Sequence, residues 1–233
     1  MQKLMDTDLL FLVGRLPRDV IALVKKYNLI VAGGFIRSTI TGERVSDIDI
    51  FGKDVATLKA AAQEICIERK GSRFHETDNA FTVLSGHRIP LQFITRWLYD
   101  TAEKVIPSFD FTVCQAALEF TEEKWHGWCS ERFYPDLAAR RLYYTHPVRN
   151  EDAGGSMMRV KKFLQRGYTI QAGSLGGVIA RLVGKIEWEK IWEWEGGEDR
   201  EQMTRKVITG LLREVDPLTV VDGVDLVDEH EVL

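Results

Sequence analysis

A chain of 233 residues is long enough for one large domain, or for a larger domain with a small appendage. Hydrophobic residues make up 45% of it and charged residues 28%, a composition that is typical of globular proteins and excludes a disordered chain. Its apolar runs fall far short of the ~20 residues that span a bilayer, and its first residues lack the apolar core of a signal peptide. We therefore expect a soluble, cytoplasmic protein without a membrane partner.

The charge of the chain is unevenly distributed. Its 31 Lys and Arg residues stand against 35 Asp and Glu residues, which gives a formal net charge of −4. The segment 214–233 contains acidic residues and no Lys or Arg, so the rest of the chain is mildly basic. A basic body with an acidic tail is compatible with a polyanionic partner.

Helical and strand patterns alternate in the first half of the chain. Residues 18–27 carry apolar side chains at helical spacing, and the run 29–32 is typical of a short buried strand. The segment SDIDIF, residues 46–51, alternates polar and apolar residues with the period of a strand. The same patterns predict further helices over 35–41, 55–69 and 97–106, and further strands over 80–84, 88–94 and 109–120.

The pattern changes near residue 150. The polar, glycine-containing segment 150–155 is typical of a boundary. Beyond it the sequence predicts helices over 156–167, 175–192 and 198–214. We therefore predict two regions, 1–150 and 151–233, of which the second is helical and ends in the acidic tail. The predicted fold class is α+β, with a small mixed sheet flanked by helices and a short all-helical C-terminal region.

The residues best suited to ligand binding and catalysis are concentrated in the segment AGGFIRSTITGERVSDIDIF, residues 32–51. Asp47 and Asp49 are two apart on a predicted strand, so both carboxylates point to the same face, roughly 6–7 Å apart. Two such carboxylates repel each other unless a cation lies between them. Mg²⁺ prefers one or two carboxylates as ligands, together with substrate phosphates. Gly33 and Gly34 let the backbone approach a ligand, and a helix that starts there presents N–H groups to phosphate. Arg37, in the first turn of that helix, is a further donor. The segment therefore predicts a pocket for a nucleoside triphosphate.

Four motifs resemble those of the polymerase-β-like nucleotidyltransferases, above all the head domain of tRNA nucleotidyltransferases (CCA-adding enzymes) and bacterial poly(A) polymerases. GGFIRSTITG followed by DIDIF is similar to the signature GGxVRDxLLG followed by DxD. FDFTVCQAAL resembles the RRDFTxNALA segment, PDLAARRLYY resembles the turn into a final strand, and RVKKFLQRGYTI resembles the neck helix. The motifs follow in the order of the family and cover residues 29–170.

The resemblance implies a metal-dependent nucleotidyltransferase, with its catalytic domain over 1–150 and a neck-like region after it. In such an enzyme the protein mostly positions charge around a phosphoryl group in transfer. The resemblance assigns catalysis and the metal ions, Mg²⁺ or Mn²⁺, to Asp47, Asp49 and Asp110, and the nucleoside triphosphate to Gly33, Gly34, Arg37 and Arg159.

The sequence also departs from the family. Ser38 stands where the family has the Asp of VRD, and Ser108-Phe109 replace the two arginines before the DFT motif. No copy of the EDxxR element, which selects the base in the family, is found. We therefore expect the fold and the phosphoryl transfer of the family rather than CCA addition as such.

The expected acceptor of the nucleoside monophosphate is a hydroxyl group, most simply that of a tRNA-like RNA 3′ end. Arg159, Lys162 and Arg166 share one face of the predicted neck helix. We expect Lys162 and Arg166, together with Arg140 and Arg141, to contact the phosphates of the acceptor. Two alternatives remain open: nucleotidylation of a protein or a small molecule, and a catalytically idle fold that binds a nucleotide.

Overall fold

The computed structural model describes residues 1–147, 153–192 and 199–212. An eight-stranded mixed sheet forms its centre, and a separate sheet has two strands. The strands are β1 (Gln2–Lys3), β2 (Ile30–Ala32), β3 (Ile48–Phe51), β4 (Arg73–Glu76), β5 (Ala80–Leu84), β6 (Leu91–Ile94), β7 (Ala116–Thr121), β8 (Lys124–Cys129), β9 (Arg141–Leu142) and β10 (Thr169–Ile170). The large sheet has the order β1-β8-β7-β2-β3-β6-β5-β4, in which β3 and β6 are parallel and the other neighbours antiparallel.

Helices cover the sheet, and their ends follow local rules. Asp54 caps one helix by accepting a hydrogen bond from the Thr57 N–H at 2.7 Å, and Asn28 ends another in the left-handed conformation. No helix of the described residues has both the length and the apolar character needed to cross a bilayer. The helices are α1 (Asp6–Arg15), α2 (Arg18–Tyr27), α3 (Gly34–Thr41), α4 (Val55–Glu68), α5 (Ala102–Val105), α6 (Phe133–Ala138), α7 (Ala153–Gln165), α8 (Ala172–Val183), α9 (Trp188–Trp192) and α10 (Arg200–Leu211), with 3₁₀ turns at Ile106–Ser108 and Thr112–Cys114.

The two faces of the sheet pack differently. Ile48 and Ile50 of β3 belong to the main core, which also takes residues from α2, α3, α4 and α7. Phe51, on the opposite face, belongs to a smaller cluster under α5. Because side chains alternate along a strand, Asp49 lies on the same face as Phe51. Helix α5 covers part of this second face, and Asp49 lies next to the covered part and is half-buried.

The sequence predicted the fold class and most elements of the first half. The α+β class with a helical C-terminal region is confirmed, and the helices predicted over 18–27, 35–41 and 55–69 are present within one residue at each end. The strand predicted over 88–94 begins only at Leu91. Pro90 precedes it and has no N–H to donate, although its carbonyl accepts a hydrogen bond from Ile48.

Two predictions in the middle of the chain were wrong. The helix predicted over 97–106 is reduced to the single turn of α5. The strand predicted over 109–120 consists of a bridge between Phe111 and Tyr144, a 3₁₀ turn and then β7. A continuous apolar run marks burial on several sides, and Phe111 is packed between Tyr144 and Phe163. The apolar pattern therefore predicted the burial of this segment and not its conformation.

The helical region after residue 152 packs onto the first half. Val160 and Phe163 of α7 and Val178 of α8 belong to the main core. The helix predicted over 175–192 is interrupted between α8 and α9, where Gly184 ends α8. The predicted boundary near residue 150 and the acidic tail over 214–233 lie outside the described residues, so the division into two regions stays a prediction.

A buried carboxylate fixes the segment that follows β8. Asp136 of α6 is fully buried and accepts a hydrogen bond from the Thr112 hydroxyl at 2.7 Å. Arg132 and Arg141 donate to the same carboxylate, with Arg141 as close as 2.6 Å. A buried charge with three donors is stable only while they remain in place.

We expect Asp136→Ala to lower the free energy of unfolding by about 3 kcal/mol, because it leaves two arginines and a hydroxyl without their acceptor. Urea unfolding followed by circular dichroism measures the loss. Asp100→Ala is the control, since Asp100 pairs with Lys104 on the surface at 2.8 Å and should contribute far less to stability. Equal effects of the two substitutions would contradict the role given to Asp136.

Candidate active site

The turn between β2 and α3 requires glycine at its first position. Gly33 has φ +77° and ψ −127°, a conformation that residues with a Cβ rarely adopt. A Cβ atom at Gly33 would lie 2.9 Å from the Phe109 ring and 3.6 Å from Oδ2 of Asp49. Its N–H donates to the Ala116 carbonyl at 3.1 Å. Gly33 therefore shapes the turn, and Gly34, the first residue of α3, lines the cavity beside it.

That cavity has a volume of about 290 Å³ and collects most of the residues predicted from the sequence. Such a volume is near the lower end of the range for small-molecule sites. Eight residues that the sequence singled out line it: Gly34, Arg37, Asp47, Asp49, Asp110, Arg159, Lys162 and Arg166.

The two carboxylates of the DxD motif face this cavity. Asp49 lies in β3, between Ala32 of β2 and Gln92 of β6. Asp47 precedes the strand, and its carboxylate accepts hydrogen bonds from Ser46 Oγ at 2.9 Å and from Gln92 Nε2 at 3.2 Å. The prediction that both side chains share a face agrees with the cavity lining, although the strand begins one residue after Asp47.

Asp110 is held differently from the other two carboxylates. It is 6% exposed, and its Oδ2 accepts hydrogen bonds from Ser156 Oγ at 2.9 Å and from Arg159 Nε at 2.8 Å. Arg159 also reaches Oδ2 with its second nitrogen at 2.7 Å. Asp110 thus orients Arg159, which α7 contributes to the cavity.

The donor set of the site suits a divalent cation in part. Among the described residues, no three His, Cys, Asp or Glu side chains are grouped closely enough to hold a metal ion. Asp47, Asp49 and Asp110 line one cavity, but Asp110 is engaged in its ion pair with Arg159. The pair Asp47 and Asp49 offers hard oxygen ligands on one face, which fits Mg²⁺ when phosphate oxygens and water complete its coordination.

Arg37 is the buried cation of the site. It lies in the first turn of α3 and is 4% exposed, and its guanidinium packs over the Phe163 ring at 4.8 Å. Its two terminal nitrogens donate to Ser38 Oγ at 2.9 Å and to Cys114 Sγ at 3.5 Å. Nε has no hydrogen-bond partner among the described residues. Ser38, where the family has an Asp, therefore offers this guanidinium a neutral acceptor.

Glu43 carries the negative charge that faces Arg37. Its Oε2 lies 3.7 Å from Arg37 Nε, and its Oε1 lies 3.8 Å from Arg140. Tyr168 donates its hydroxyl to Oε1 at 3.2 Å. Burial raises the pKa of Tyr168 to about 12, so this phenol remains a donor at neutral pH. The loop after α3 is thereby attached to the helical region by contacts between charged and polar groups.

The four cations predicted to contact an acceptor fall into two pairs. Lys162 of α7 and Arg166, which directly follows α7, line the cavity. Arg140 and Arg141 lie outside its lining. Arg140 donates to the Arg166 carbonyl at 2.9 Å, and Arg141 is bound to the buried carboxylate of Asp136. Arg141 therefore has a structural partner that the sequence pattern did not reveal.

The cavity also has an apolar wall that sequence reasoning missed. Phe51, Ile94, Trp97 and Phe109 line it. Trp97 begins the segment 97–106 that was predicted to be helical, but only α5 is helical there, and the Trp97 side chain is half-buried at the cavity. Phe109 occupies the position of an arginine in the DFT motif, a departure that was visible in the sequence and that gives the wall its aromatic character.

The fold is that of the nucleotidyltransferases. A CCA-adding enzyme of Thermotoga maritima, solved in complex with tRNA, matches 94% of this chain and 53% of its own with a TM-score of 0.57 and 19% sequence identity. A CCA-adding enzyme in complex with ATP matches 89% of this chain and 55% of its own with a TM-score of 0.59 and 18% identity. At these identities the likeness establishes the fold alone.

The sequence places the chain in a narrower group within that fold. The model of the Gabija anti-defense 2 family matches residues 3–140, and the chain therefore belongs to this family of phage anti-defence proteins. A protein named Gabija anti-defense 2, from Bacillus phage SPbetaL7, is 27% identical over 155 residues, which are 66% of this chain and 37% of the phage protein. The chain thus spans little more than a third of the length of that relative and about half of each CCA-adding enzyme.

The resemblance drawn from the motifs is confirmed at the level of the fold. The matching family is one of anti-defence proteins, and it is not specific to tRNA. The departures at Ser38 and Phe109 are in keeping with membership of a group other than the tRNA nucleotidyltransferases.

We expect Gly33→Ala to lower the free energy of unfolding by at least about 2 kcal/mol, because it adds backbone strain and a contact with the Phe109 ring. Urea unfolding measures the loss. Gly42→Ala is the matched control, since Gly42 also has a positive φ, +70°, but an added Cβ would meet nothing within 4 Å. We expect about 1 kcal/mol there. If both glycines gave the same loss, the close approach of Phe109 would be of no consequence.

Proposed function

We propose that this protein is a metal-dependent nucleotidyltransferase that moves a nucleoside monophosphate from a nucleoside triphosphate to an acceptor hydroxyl. We propose further that this activity is the basis of its role in phage anti-defence. The observation that carries the proposal is the convergence of unlike groups on one cavity. A carboxylate pair, the start of α3 and cations from two helices all line it. Opposite charges in one cleft are what a triphosphate with its metal ion requires.

Each group has a separate task in the proposed reaction. Arg37 and the first turn of α3 hold the phosphates, since a buried guanidinium and a helix N-terminus both favour an anion. Asp47 and Asp49 would hold Mg²⁺, which would supply positive charge beside the phosphates. In the transfer the acceptor oxygen loses its proton to solvent and bonds to the α-phosphorus, and the bond from that phosphorus to pyrophosphate breaks. Asp110 is a positioning residue that directs Arg159 toward the nucleotide.

The acceptor that we propose first is the 3′ end of an RNA. Lys162 reaches the cavity from α7 and Arg166 from the turn that follows it, and Arg166 is exposed. Cations at the mouth of a nucleotide site suit the phosphates that flank an acceptor hydroxyl. The enzyme of the same fold that was solved with tRNA supports this choice.

A second acceptor, a protein, is favoured by a different observation. The chain belongs to an anti-defence family, and an activity of that kind has a component of a defence system as its target. The basic face is also smaller than the sequence suggested, since Arg141 is bound to Asp136. A nucleotide-binding protein without catalysis is the outcome if no label is transferred at all.

We expect Asp47→Asn and Asp49→Asn each to reduce nucleotide transfer about a thousandfold, which corresponds to ~4 kcal/mol of transition-state stabilisation. The assay incubates the full chain with Mg²⁺, each radiolabelled nucleoside triphosphate and either total cellular RNA or the proteins of a bacterial lysate, and follows the label. Circular dichroism checks that both variants fold.

Asp100→Asn serves as the control for this experiment, because it neutralises a surface carboxylate that does not line the cavity. It should transfer nucleotide like the wild type. Wild-type rates in both the Asp47 and the Asp49 variant would exclude these carboxylates from catalysis, and label in protein alone would select the second acceptor.

We expect the double substitution Lys162→Ala with Arg166→Ala to weaken RNA binding and to flatten its salt dependence by about 1.5 units of log K against log salt, since two phosphate contacts are lost. Filter binding over a range of salt concentrations measures the slope. Lys53→Ala with Lys70→Ala removes the same charge from two exposed positions outside the cavity lining. If the slope is the same in both double variants, Lys162 and Arg166 do not contact RNA.

A further inference from the structure

The apolar wall of the cavity stands apart from its charged groups. The cations come from α3, from α7 and from the turn after α7. The apolar side chains belong to the ends of β3 and β6 and to the loops that flank α5, and they are Phe51, Ile94, Trp97 and Phe109. Asp49 connects the two parts, because it lies two residues before Phe51 in the same strand. A ligand that fills the cavity therefore meets charge on one side and aromatic carbon on the other.

The rings of this wall are held in place by packing. Phe51 and Phe109 meet edge to face, with their centroids 6.1 Å apart, and Tyr99 packs against Phe51 at 6.0 Å. Phe109 also lies against the turn at Gly33, where no Cβ keeps it away. Trp97 is half-buried at the end of the wall, with the guanidinium of Arg96 5.1 Å from its ring. A fixed aromatic surface costs little further entropy when a flat ring stacks on it.

The wall offers almost nothing that could read the edge of a base. Of its four side chains, only Trp97 carries a polar atom, the indole N–H. The two hydroxyl side chains of the described cavity lining are already donors within the protein: Ser46 donates to Asp47, and Ser108 donates to the Val105 carbonyl. Discrimination between bases needs hydrogen-bond donors and acceptors at fixed positions, whereas every base has a face that can stack.

We propose that Trp97 and Phe109 bind the base of the nucleoside triphosphate by stacking, and that the site consequently accepts all four bases with similar affinity. This inference rests on the proposed function, because it assumes that the phosphates lie at Arg37 and the carboxylate pair. The aromatic wall would thereby make the reaction specific for nucleotides in general, without a preference for one base.

The test compares the binding of four nucleoside triphosphates with the binding of inorganic tripolyphosphate, which has the charge without the base. Isothermal titration in Mg²⁺ and without an acceptor gives Kd for ATP, GTP, CTP, UTP and tripolyphosphate. In the wild type we expect the four nucleotides to agree within about tenfold. Trp97→Ala should weaken all four by about 10- to 100-fold and leave tripolyphosphate unchanged.

Two further variants separate stacking from a loss of structure. Trp97→Phe keeps an aromatic face and should restore most of the nucleotide affinity. Trp125→Ala removes a half-buried indole that packs on Phe120 outside the cavity lining, and its nucleotide affinity should equal that of the wild type. Circular dichroism and the unchanged tripolyphosphate affinity show that Trp97→Ala is folded.

The outcomes distinguish this inference from the function on which it rests. Undiminished nucleotide affinity in Trp97→Ala, or one nucleotide that binds more than about 100-fold tighter than the other three, would overturn the stacking site and leave nucleotidyl transfer intact. Failure of the wild type to bind any nucleotide or tripolyphosphate would overturn both.

Discussion

The alternation of side chains along β3 is the constraint on which the site depends. Ile48 and Ile50 fill the main core on one face, so Asp47 and Asp49 must lie on the other. A shift of one residue in the pairing of this strand would bury both carboxylates and expose both isoleucines. The packing of the hydrophobic core therefore determines the position of the carboxylate pair, and no ligand is needed to place both carboxylates on one face.

The helical region completes the cavity through contacts that each join distant parts of the chain. Arg159 of α7 is paired with Asp110, Phe163 lies under Arg37, and Tyr168 is hydrogen-bonded to Glu43. These contacts surround the cationic side of the cavity. A change in the packing of α7 would consequently move several cations at once, and the sheet face alone would hold only the carboxylates.

The sequence predicted what is local, and it missed what depends on packing between distant segments. The glycine turn and the carboxylate pair follow from residue type and short spacing, because a turn and a two-residue period are properties of one segment. The bond of Arg141 to Asp136 and the place of Trp97 at the cavity depend on segments far apart or on an irregular backbone. An apolar pattern reports burial, but it does not say whether the neighbour is core or cavity.

The environment of Arg37 links the site to the stability of the whole fold. Its guanidinium is almost completely withdrawn from water, yet Nε has no hydrogen-bond partner among the described residues, and the Glu43 carboxylate lies 3.7 Å away. A buried donor in this state costs about 1–3 kcal/mol of folding free energy. An anion that bound Arg37 in the folded state alone would raise the melting temperature as its concentration rose. A buried cation with incomplete hydrogen bonding therefore makes the stability of the fold responsive to the anions around it.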